Sequence, residues 1–325
     1  MEHNNLEILV MGGTEFVGKA VAKYLIAQGY TVDIFTRGLK HVDYDGVRNH
    51  IKGDRKLIDD LEKGLADKQY DFVIDISAYT KEDVENLISV LDISRIKRYV
   101  FCSSGGVYIP SDEIVSEEYS RGENPNWGAY GLNKKEAEDY LFDLYEKEKF
   151  PCTMFRPTYI YGEGNNLYRE SYLFDRITNG LDIPIPEGST TTQFIHINDL
   201  VKTFESALYC DAAIGQAYNI THPDIISWQH LVETAMETAD NKIEIVKVSK
   251  SFMDKLNIKI SREFFPFRDV TYMLDIQKLK AHGLHIPTIG IMEGLEKSYR
   301  WYCDKNHVNK DLRMIKKIEL VLEQK

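Results

Sequence analysis

Two side chains in the first half of the chain have the types and spacing needed to move a proton to or from a hydroxyl group. Tyr130 and Lys134 are four residues apart in "AYGLNKK", and on a helix that spacing places both side chains on one face. A phenol has a pKa of about 10, and an ammonium close by in a partly desolvated cleft lowers it toward neutrality. The pair can therefore work as a general acid and base.

Ser104 is a candidate third member of this group. It lies in "VFCSSGGVY", at the carboxyl edge of a predicted strand, where its hydroxyl could bond both a substrate oxygen and Tyr130. The serines lack the Gly-x-Ser-x-Gly elbow of hydrolases. Each motif is weak alone, because a second Tyr-x-x-x-Lys occurs at Tyr145 and Lys149, a lone tyrosine is more often packing, and small residues also form ordinary turns.

A glycine-rich turn near the start of the chain has the pattern that holds the phosphates of a dinucleotide. In "ILVMGGTEFVGKA", Gly12, Gly13 and Gly18 lie between a strand and a helix, whose first N–H groups would face a pyrophosphate. Glu15 is compatible with this anion if its carboxylate turns away, either outward or back over the helix start as a cap. The alternative is an ordinary tight turn.

The end of the second predicted strand indicates which dinucleotide is bound. A carboxylate there accepts from a ribose 2′-hydroxyl, whereas a basic residue accommodates a 2′-phosphate. "DIFTRG" has Thr36 at the acid position and Arg37 next, while Asp33 is predicted to lie in mid-strand and out of reach. The sequence therefore favours NADP over NAD, unless Arg37 is a plain surface cation.

Alternating strands and helices are predicted to position these residues. Apolar runs that end in polar residues or glycine predict strands at "EILVMGG", "TVDIFTRG", "HIKGD", "YDFVIDIS", "RYVFCSSG" and "CTMFRPTYIYG". Helical patterns such as "GKAVAKYLIAQG" lie between them. This alternation predicts an α/β fold of the Rossmann type, a doubly wound parallel sheet that binds ligands at the carboxyl ends of its strands.

Beyond "YIYGEG" the alternation breaks down, which predicts a smaller, mixed C-terminal lobe. We expect residues 1–165 to form the dinucleotide-binding domain, completed by about 192–224. Residues 166–191 and 225–325 are expected to form the substrate-binding lobe. The tail from Lys305 has apolar residues near helical spacing and is interpreted as an amphipathic helix rather than a binding arm.

Composition and charge exclude several classes of protein. The chain has 325 residues, 43% of them hydrophobic, and no apolar run approaches the roughly 20 residues that span a bilayer. A net charge of −11 disfavours nucleic-acid binding. The four cysteines are widely spaced and no histidine pair has ligand spacing, so neither a disulfide nor a metal site is predicted. Without a signal-peptide pattern, a cytoplasmic protein is expected.

Taken together, these motifs resemble the extended short-chain dehydrogenase/reductase family, the NAD(P)-dependent nucleotide-sugar epimerases and dehydratases. The resemblance covers nearly the whole chain, through "GGTEFVG", "SSGGVY", "YGLNK", "FRPTYIYGEG", "FIHINDL" and "LDIQKLKAHG". It implies that Tyr130 is the acid/base, that Lys134 lowers its pKa and holds the nicotinamide ribose, and that Ser104 positions a substrate hydroxyl. The implied cofactor is NADP or NAD, and the implied substrate is a sugar or nucleotide sugar.

The resemblance also implies binding roles for further residues. In the cofactor site, Asp54 would approach the adenine, while Pro157 would lie near the nicotinamide. The full predicted cofactor set is Gly12, Thr14, Glu15, Phe16, Val17, Gly18, Arg37, Asp54, Ser77, Ala78, Tyr79 and Pro157. The predicted substrate-binding residues are Thr158, Tyr159, Gln193 and Arg268.

Three departures from the family pattern leave two functions open. Glu15 replaces the middle glycine, as in a side branch that includes chloroplast RNA-associated proteins. Gly105 and Gly106 stand where 4,6-dehydratases have two acids, which disfavours that dehydration, and Gln193 lies where many relatives have an arginine that Arg268 could replace. The chain is predicted to be an epimerase or reductase; the alternative is a non-catalytic NAD(P)-binding protein. Relatives often dimerise, so a homodimer is one option.

Overall fold

A parallel sheet forms the centre of the protein in a computed structural model that describes residues 6–258, 263, 265–304 and 309–324. The strands are β1 Glu7–Met11, β2 Thr31–Thr36, β3 Val47–Lys52, β4 Phe72–Asp75, β5 Arg98–Cys102, β6 Cys152–Pro157, β7 Tyr159–Tyr161, β8 Ile183–Pro186, β9 Thr191–Thr192, β10 Phe194–His196, β11 Gln216–Ile220, β12 Ile226–Ser227 and β13 Ile245–Val248. The helices are α1 Phe16–Ala27, α2 Ile58–Leu65, α3 Lys81–Val90, α4 Ala129–Glu148, α5 Glu170–Thr178, α6 Ile197–Leu208, α7 Trp228–Thr238, α8 Lys250–Lys255, α9 Gln277–Ala281, α10 Ile291–Asp304 and α11 Leu312–Glu323.

The central sheet has seven strands in the order β11-β6-β5-β4-β1-β2-β3, all parallel. Apolar side chains of α1 and α6 pack on one face, and those of α2, α3 and α4 pack on the other. The predicted doubly wound Rossmann fold is confirmed. Its strand order reverses between β1 and β4, the place where such sheets bind ligands.

One predicted strand is divided in the structure. The run "CTMFRPTYIYG" was expected as a single strand, but β6 ends at Pro157 and β7 begins at Tyr159. The N–H of Thr158 donates to the carbonyl of Ile220 at 3.2 Å, after which β7 leaves the central sheet and pairs with β10. The break turns the chain toward the second lobe and places Pro157 at a strand end.

The second lobe is held together mainly by side chains. Short strand pairs β7–β10, β8–β13 and β9–β12 and helices α5, α7, α10 and α11 surround an aromatic and aliphatic core. The amphipathic terminal helix is confirmed as α11, where Met314, Ile318 and Val321 are buried; residues 305–308 of that tail lie outside the described residues. The division into domains at the predicted boundaries stays a prediction.

The residues that the structure describes include no candidate for a membrane-spanning helix or for a metal cluster. None of their helices is long and apolar enough to cross a membrane. Within the same part of the chain, no group of three or more His, Cys, Asp or Glu is arranged to hold a metal ion.

Candidate active site

The glycine turn after β1 has a backbone that only glycine adopts easily. Gly12 and Gly13 have φ of 119° and 121°, in the region that disfavours a side chain. The N–H of Gly12 donates to the carbonyl of Phe35 at 2.9 Å, which ties the turn to the end of β2. A Cβ on Gly18 would lie 2.5 Å from the backbone nitrogen of Gly13, so α1 packs on the turn without space for a methyl group.

Glu15 turns outward from this turn, which is one of the two arrangements that the sequence analysis allowed. Its carboxylate pairs with the ammonium of Lys40, and both side chains are about half exposed. The alternative, a cap over the helix start, is wrong: Glu15 is the N-cap residue of α1 but makes no side-chain cap hydrogen bond. The first N–H groups of α1 therefore remain available to an anion.

A groove of about 680 Å³ runs from this turn across the carboxyl ends of the strands. Ten of the twelve residues predicted to bind the cofactor line it: Gly12, Thr14, Glu15, Phe16, Val17, Gly18, Arg37, Asp54, Ser77 and Tyr79. The other two face other partners, because the carbonyl of Ala78 accepts from Lys134 and that of Pro157 accepts from Tyr272. The volume of the groove, its glycine turn and the uncapped start of α1 fit a dinucleotide.

The end of β2 presents no carboxylate to the groove. Asp33 is fully buried in mid-strand and accepts hydrogen bonds from Arg48, Asn49 and Tyr70, which confirms that it is out of reach. Thr36 hydrogen bonds to His50 at 2.7 Å, and the exposed Arg37 lines the groove. A basic residue is therefore the charged group at this position.

Arg55 is a groove residue that the sequence analysis missed. Its buried guanidinium donates to both carboxylate oxygens of Asp75, at 2.6 and 2.9 Å, and to the hydroxyl of Ser77 at 2.8 Å. Burial raises the pKa of Asp75, but the charge and hydrogen bonds of Arg55 oppose this rise, and the pKa of Asp75 is lowered overall. A lone arginine after a strand carries no sequence signal, since its partner is twenty residues away.

Of the three predicted catalytic residues, Ser104 lies in the turn that follows β5, and Tyr130 and Lys134 lie on α4. Ser104 is buried and accepts from the N–H of Gly106 at 3.0 Å. Lys134 is also buried, and its ammonium donates to the carbonyls of Ala78 and Cys102, both at 2.6 Å. Tyr130 is 37% exposed, and its hydroxyl points toward Ser104, whose hydrogen bond lowers its pKa.

The net pKa direction of Tyr130 is opposite to the predicted one. Burial is the largest cause and raises the pKa of the phenol above its usual range, and Cys102 and Tyr79 add to the rise. Ser104 and the guanidinium of Arg169 lower it without outweighing burial. The ammonium of Lys134 donates its hydrogen bonds to backbone carbonyls, and burial lowers the pKa of Lys134. The phenol is therefore protonated at neutral pH in this arrangement.

Two arginines of the second lobe lie against aromatic rings near Tyr130. The guanidinium of Arg268 is 4.9 Å from the ring centroid of Trp127, which contacts Tyr130. The guanidinium of Arg169 is 5.3 Å from the ring centroid of Tyr159. Arg268 was predicted, whereas Arg169 was missed because it precedes α5 in a helical pattern with no motif of its own.

The other predicted substrate-binding residues make hydrogen bonds or packing contacts within the protein. Thr158 shares a hydrogen bond of 2.7 Å with Thr221. Gln193 accepts from the N–H of Leu274 at 2.7 Å and donates to Pro223. Tyr159 is 3% exposed and lies in the aromatic core. Their predicted roles stay predictions.

Gly105 and Gly106 make space for two aromatic side chains beside Ser104. A Cβ on Gly105 would lie 2.5 Å from the hydroxyl oxygen of Tyr272, and one on Gly106 would lie 3.0 Å from the ring of Trp127. Tyr272 donates to the carbonyl of Pro157 at 2.9 Å. A second cavity, of about 390 Å³, lies beside these rings and is lined by Gly105, Trp127 and Tyr272 among others.

Comparison with known proteins places this geometry among characterised relatives. The sequence model of the NAD dependent epimerase/dehydratase family matches residues 8–221. The chloroplast stem-loop binding protein of 41 kDa b of Arabidopsis thaliana is 30% identical over 308 residues, which are 90% of this chain and 78% of that protein. A putative UDP-glucose 4-epimerase of Methanocaldococcus jannaschii is 24% identical over 92% of this chain and 99% of that protein.

Solved structures share the fold. The UDP-glucose 4-epimerase of Thermotoga maritima, solved with UDP-glucose, superposes with a TM-score of 0.77 over 92% of this chain and 99% of that one. Its sequence is 18% identical, so the match extends to the backbone and says little about individual side chains.

Proposed function

Because the chain belongs to the NAD-dependent epimerase/dehydratase family, we propose that it is an NAD(P)-dependent epimerase or reductase that acts on a hydroxyl carbon of a sugar or nucleotide sugar. One observation carries this proposal. The ring of Tyr130 contacts one lining residue of each space: its centroid is 6.0 Å from that of Tyr79, which lines the groove, and 6.5 Å from that of Trp127, which lines the second cavity. A dinucleotide in one and a sugar in the other would meet at this phenol.

The groove residues supply the dinucleotide site. The N–H groups at the start of α1 bind the pyrophosphate, and Arg37 takes a 2′-phosphate, so we propose a preference for NADP. When bound, the dinucleotide supplies the hydride acceptor or donor. Lys134, held by two carbonyls beneath Tyr79 with its ammonium 5.4 Å from that ring, is in place to contact the nicotinamide ribose.

Tyr130, Ser104 and Lys134 handle the proton. Because burial raises its pKa, the phenol of Tyr130 is protonated at neutral pH and so carries the proton that reduction of a keto sugar consumes. In the oxidative direction the phenol must first release its own proton to solvent, and the phenolate then takes the proton of a substrate hydroxyl; nearby positive charge favours the phenolate. Ser104, which hydrogen bonds to the phenol, orients the substrate oxygen.

The substrate side of the proposal rests on the two arginines. The guanidinium of Arg268 lies over the ring of Trp127, which contacts Tyr130, and that of Arg169 lies over the ring of Tyr159. Guanidinium groups bind phosphate in a bidentate manner, so a sugar that carries a phosphate or diphosphate fits this side of the site. The Thermotoga maritima structure with UDP-glucose supports the same class of substrate.

Substitution of Tyr130 tests this function. Tyr130→Phe removes only the hydroxyl, so it should lower kcat at least about 100-fold while leaving the dissociation constant of the dinucleotide unchanged. Tyr145→Phe is the matched control, because Tyr145 and Lys149 form the second Tyr-x-x-x-Lys on the same helix, away from the groove. Turnover of UDP-glucose, UDP-galactose and dTDP-glucose is measured; full activity of Tyr130→Phe contradicts the assignment.

Retention of the dinucleotide separates epimerase from reductase. An epimerase returns the hydride to the same substrate and keeps its cofactor, whereas a reductase must exchange it. NADP(H) that stays with the protein through gel filtration, together with epimer formation without added cofactor, indicates an epimerase. Loss of the dinucleotide and stoichiometric NADPH consumption indicate a reductase.

A second candidate function is a non-catalytic NAD(P)-binding protein of the RNA-associated branch. The observation that favours it is the 30% identity to the chloroplast stem-loop binding protein. The net charge of −11 and the presence of Ser104, Tyr130 and Lys134 favour the enzyme. Salt-dependent retention of a stem-loop RNA on a filter, with no turnover of any nucleotide sugar, would reverse this order. A cytoplasmic location and a homodimer remain predictions.

A further inference from the structure

The connection between β2 and β3, residues 37–46, is fastened to the glycine turn and α1 at three places. Lys40 pairs with Glu15, and Asp43 pairs with Lys19 at 2.6 Å. The hydroxyl of Tyr44 donates to the carbonyl of Gly13 at 2.6 Å. Two of these contacts, at Asp43 and Tyr44, are made shortly after Lys40 in the chain. The position of Lys40 over the start of α1 is therefore set by the whole β2–β3 connection and not by one flexible pair.

Although its carboxylate turns outward to Lys40, Glu15 still lines the groove in which the proposed cofactor also brings negative charge. It immediately precedes α1, whose uncapped N–H groups are in place to bind a pyrophosphate. An uncompensated carboxylate at this point would repel a pyrophosphate and so oppose the attraction of the pyrophosphate to the helix start.

Lys40 lies where it can cancel that charge. It lines the groove together with Glu15, and both also line a neighbouring cavity of about 1260 Å³, so the pair forms part of the wall between the two spaces. Arg37, the residue proposed to bind a 2′-phosphate, lies three residues earlier and lines the groove but not that cavity. The two cations of the connection therefore occupy different positions.

We propose that Lys40 is the charge-compensating residue that makes a carboxylate at position 15 compatible with the pyrophosphate of a bound dinucleotide. This inference rests on the proposed function, and it assigns Lys40 a positioning role that acts through Glu15. Since both NAD and NADP contain the pyrophosphate, Lys40 should affect the two equally. Arg37 alone should distinguish between them.

A double-mutant cycle tests this assignment. Dissociation constants for NAD and NADP are measured by calorimetric titration of the wild type, Lys40→Met, Glu15→Gln and the double variant. Lys40→Met should weaken both dinucleotides by about tenfold, because it leaves a carboxylate beside the pyrophosphate. Glu15→Gln alone should bind both dinucleotides at least as tightly as the wild type, because it leaves the ammonium of Lys40 unopposed, and it should restore binding in the Lys40→Met background.

The control is Lys147→Met, which removes an exposed cation from an ion pair with Asp143 on α4. It should change neither dissociation constant. Melting temperatures of all variants check folding, and the exposed Lys40 pair should contribute little to stability.

Three outcomes overturn the inference. Unchanged affinity of Lys40→Met removes the need for compensation. Weaker binding of NADP alone makes Lys40 a ligand of the 2′-phosphate instead, and a double variant as weak as Lys40→Met excludes any action through Glu15. If the wild type binds neither dinucleotide, the proposed function fails and this inference fails with it; if the wild type binds normally, the result bears on Lys40 alone.

Discussion

The dinucleotide groove and the aromatic core of the second lobe are built in different ways. The groove is shaped by main chain: Gly12 and Gly13 turn the backbone, and Gly18 lets α1 approach it. The second lobe is shaped by side chains, among them Tyr159, Phe194, Trp228, Phe267 and Tyr272, whose rings contact one another across the lobe. The groove comes from successive strand ends, whereas the aromatic residues come from segments far apart in the sequence.

This difference separates what each region can specify. A site made of N–H groups binds phosphate mainly through the main chain, so a glutamate can stand at position 15 in place of a glycine when a cation such as Lys40 offsets its charge. A site made of packed rings changes its shape with every substitution. Cofactor class is therefore the more stable property of this fold, and substrate class is the more variable one.

Among substitutions that test whether the two regions are independent, we expect the largest loss of stability from one in the aromatic core. Trp228 is 2% exposed, stacks on Phe267 with centroids 5.3 Å apart and donates to Asp269. Trp228→Ala should lower the free energy of unfolding by about 3–5 kcal/mol through the cavity that it leaves. Urea denaturation measures this loss. Titration of the folded variant should show unchanged dinucleotide affinity; a parallel loss of affinity would mean that the two regions are not separate.

The next effect concerns a buried carboxyl of the second lobe. Burial is the largest cause that raises the pKa of Glu170, to about 7, and Asn165 donates to both of its oxygens. From pH 4.5 to pH 7 the unfolded chain ionises this group while the folded chain keeps it protonated. The free energy of unfolding should therefore fall by about 3 kcal/mol as pH rises through that window.

Glu170→Gln removes this pH dependence and keeps an oxygen that accepts from Asn165. Its unfolding free energy, measured in urea at several pH values, should exceed that of the wild type above pH 7 and approach it below pH 4.5. The exposed Glu136→Gln variant controls for the loss of one carboxylate. Parallel profiles for Glu170→Gln and the wild type would show that the buried carboxyl does not titrate in this window.

A substitution in the groove is expected to have the smallest effect on the free energy of unfolding and the largest effect on dinucleotide binding. In Gly18→Ala the new methyl group meets the backbone nitrogen of Gly13 at 2.5 Å, so α1 must move away from the turn. We expect a loss of about 1–3 kcal/mol in unfolding free energy and much weaker binding of both dinucleotides. Gly188→Ala is the control, because its methyl group would make only ordinary contacts, of 3.6 Å or more. Equal affinities for both variants would contradict the close packing at Gly18.

The sequence was sufficient to predict those features that are produced by residues close together in the chain. The glycine turn, the start of α4 at Ala129 before Tyr130, and the parallel sheet follow from residues that are neighbours in the chain. It was insufficient for Arg55, whose partner Asp75 lies on β4, and for the hydrogen bond between Gln193 and Leu274. No spacing rule links such pairs.

By itself, the sequence determined the fold class and the place of the groove, since hydrophobic periodicity and glycine positions act through local backbone geometry. Only the tertiary structure decided the electrostatics. The pKa of Tyr130 depends on how deeply its hydroxyl is buried and on Arg169, a residue of another segment, and the charge of Glu15 depends on Lys40. Electrostatic interactions act over distance in space, and spatial proximity between separate segments exists only once the chain has folded.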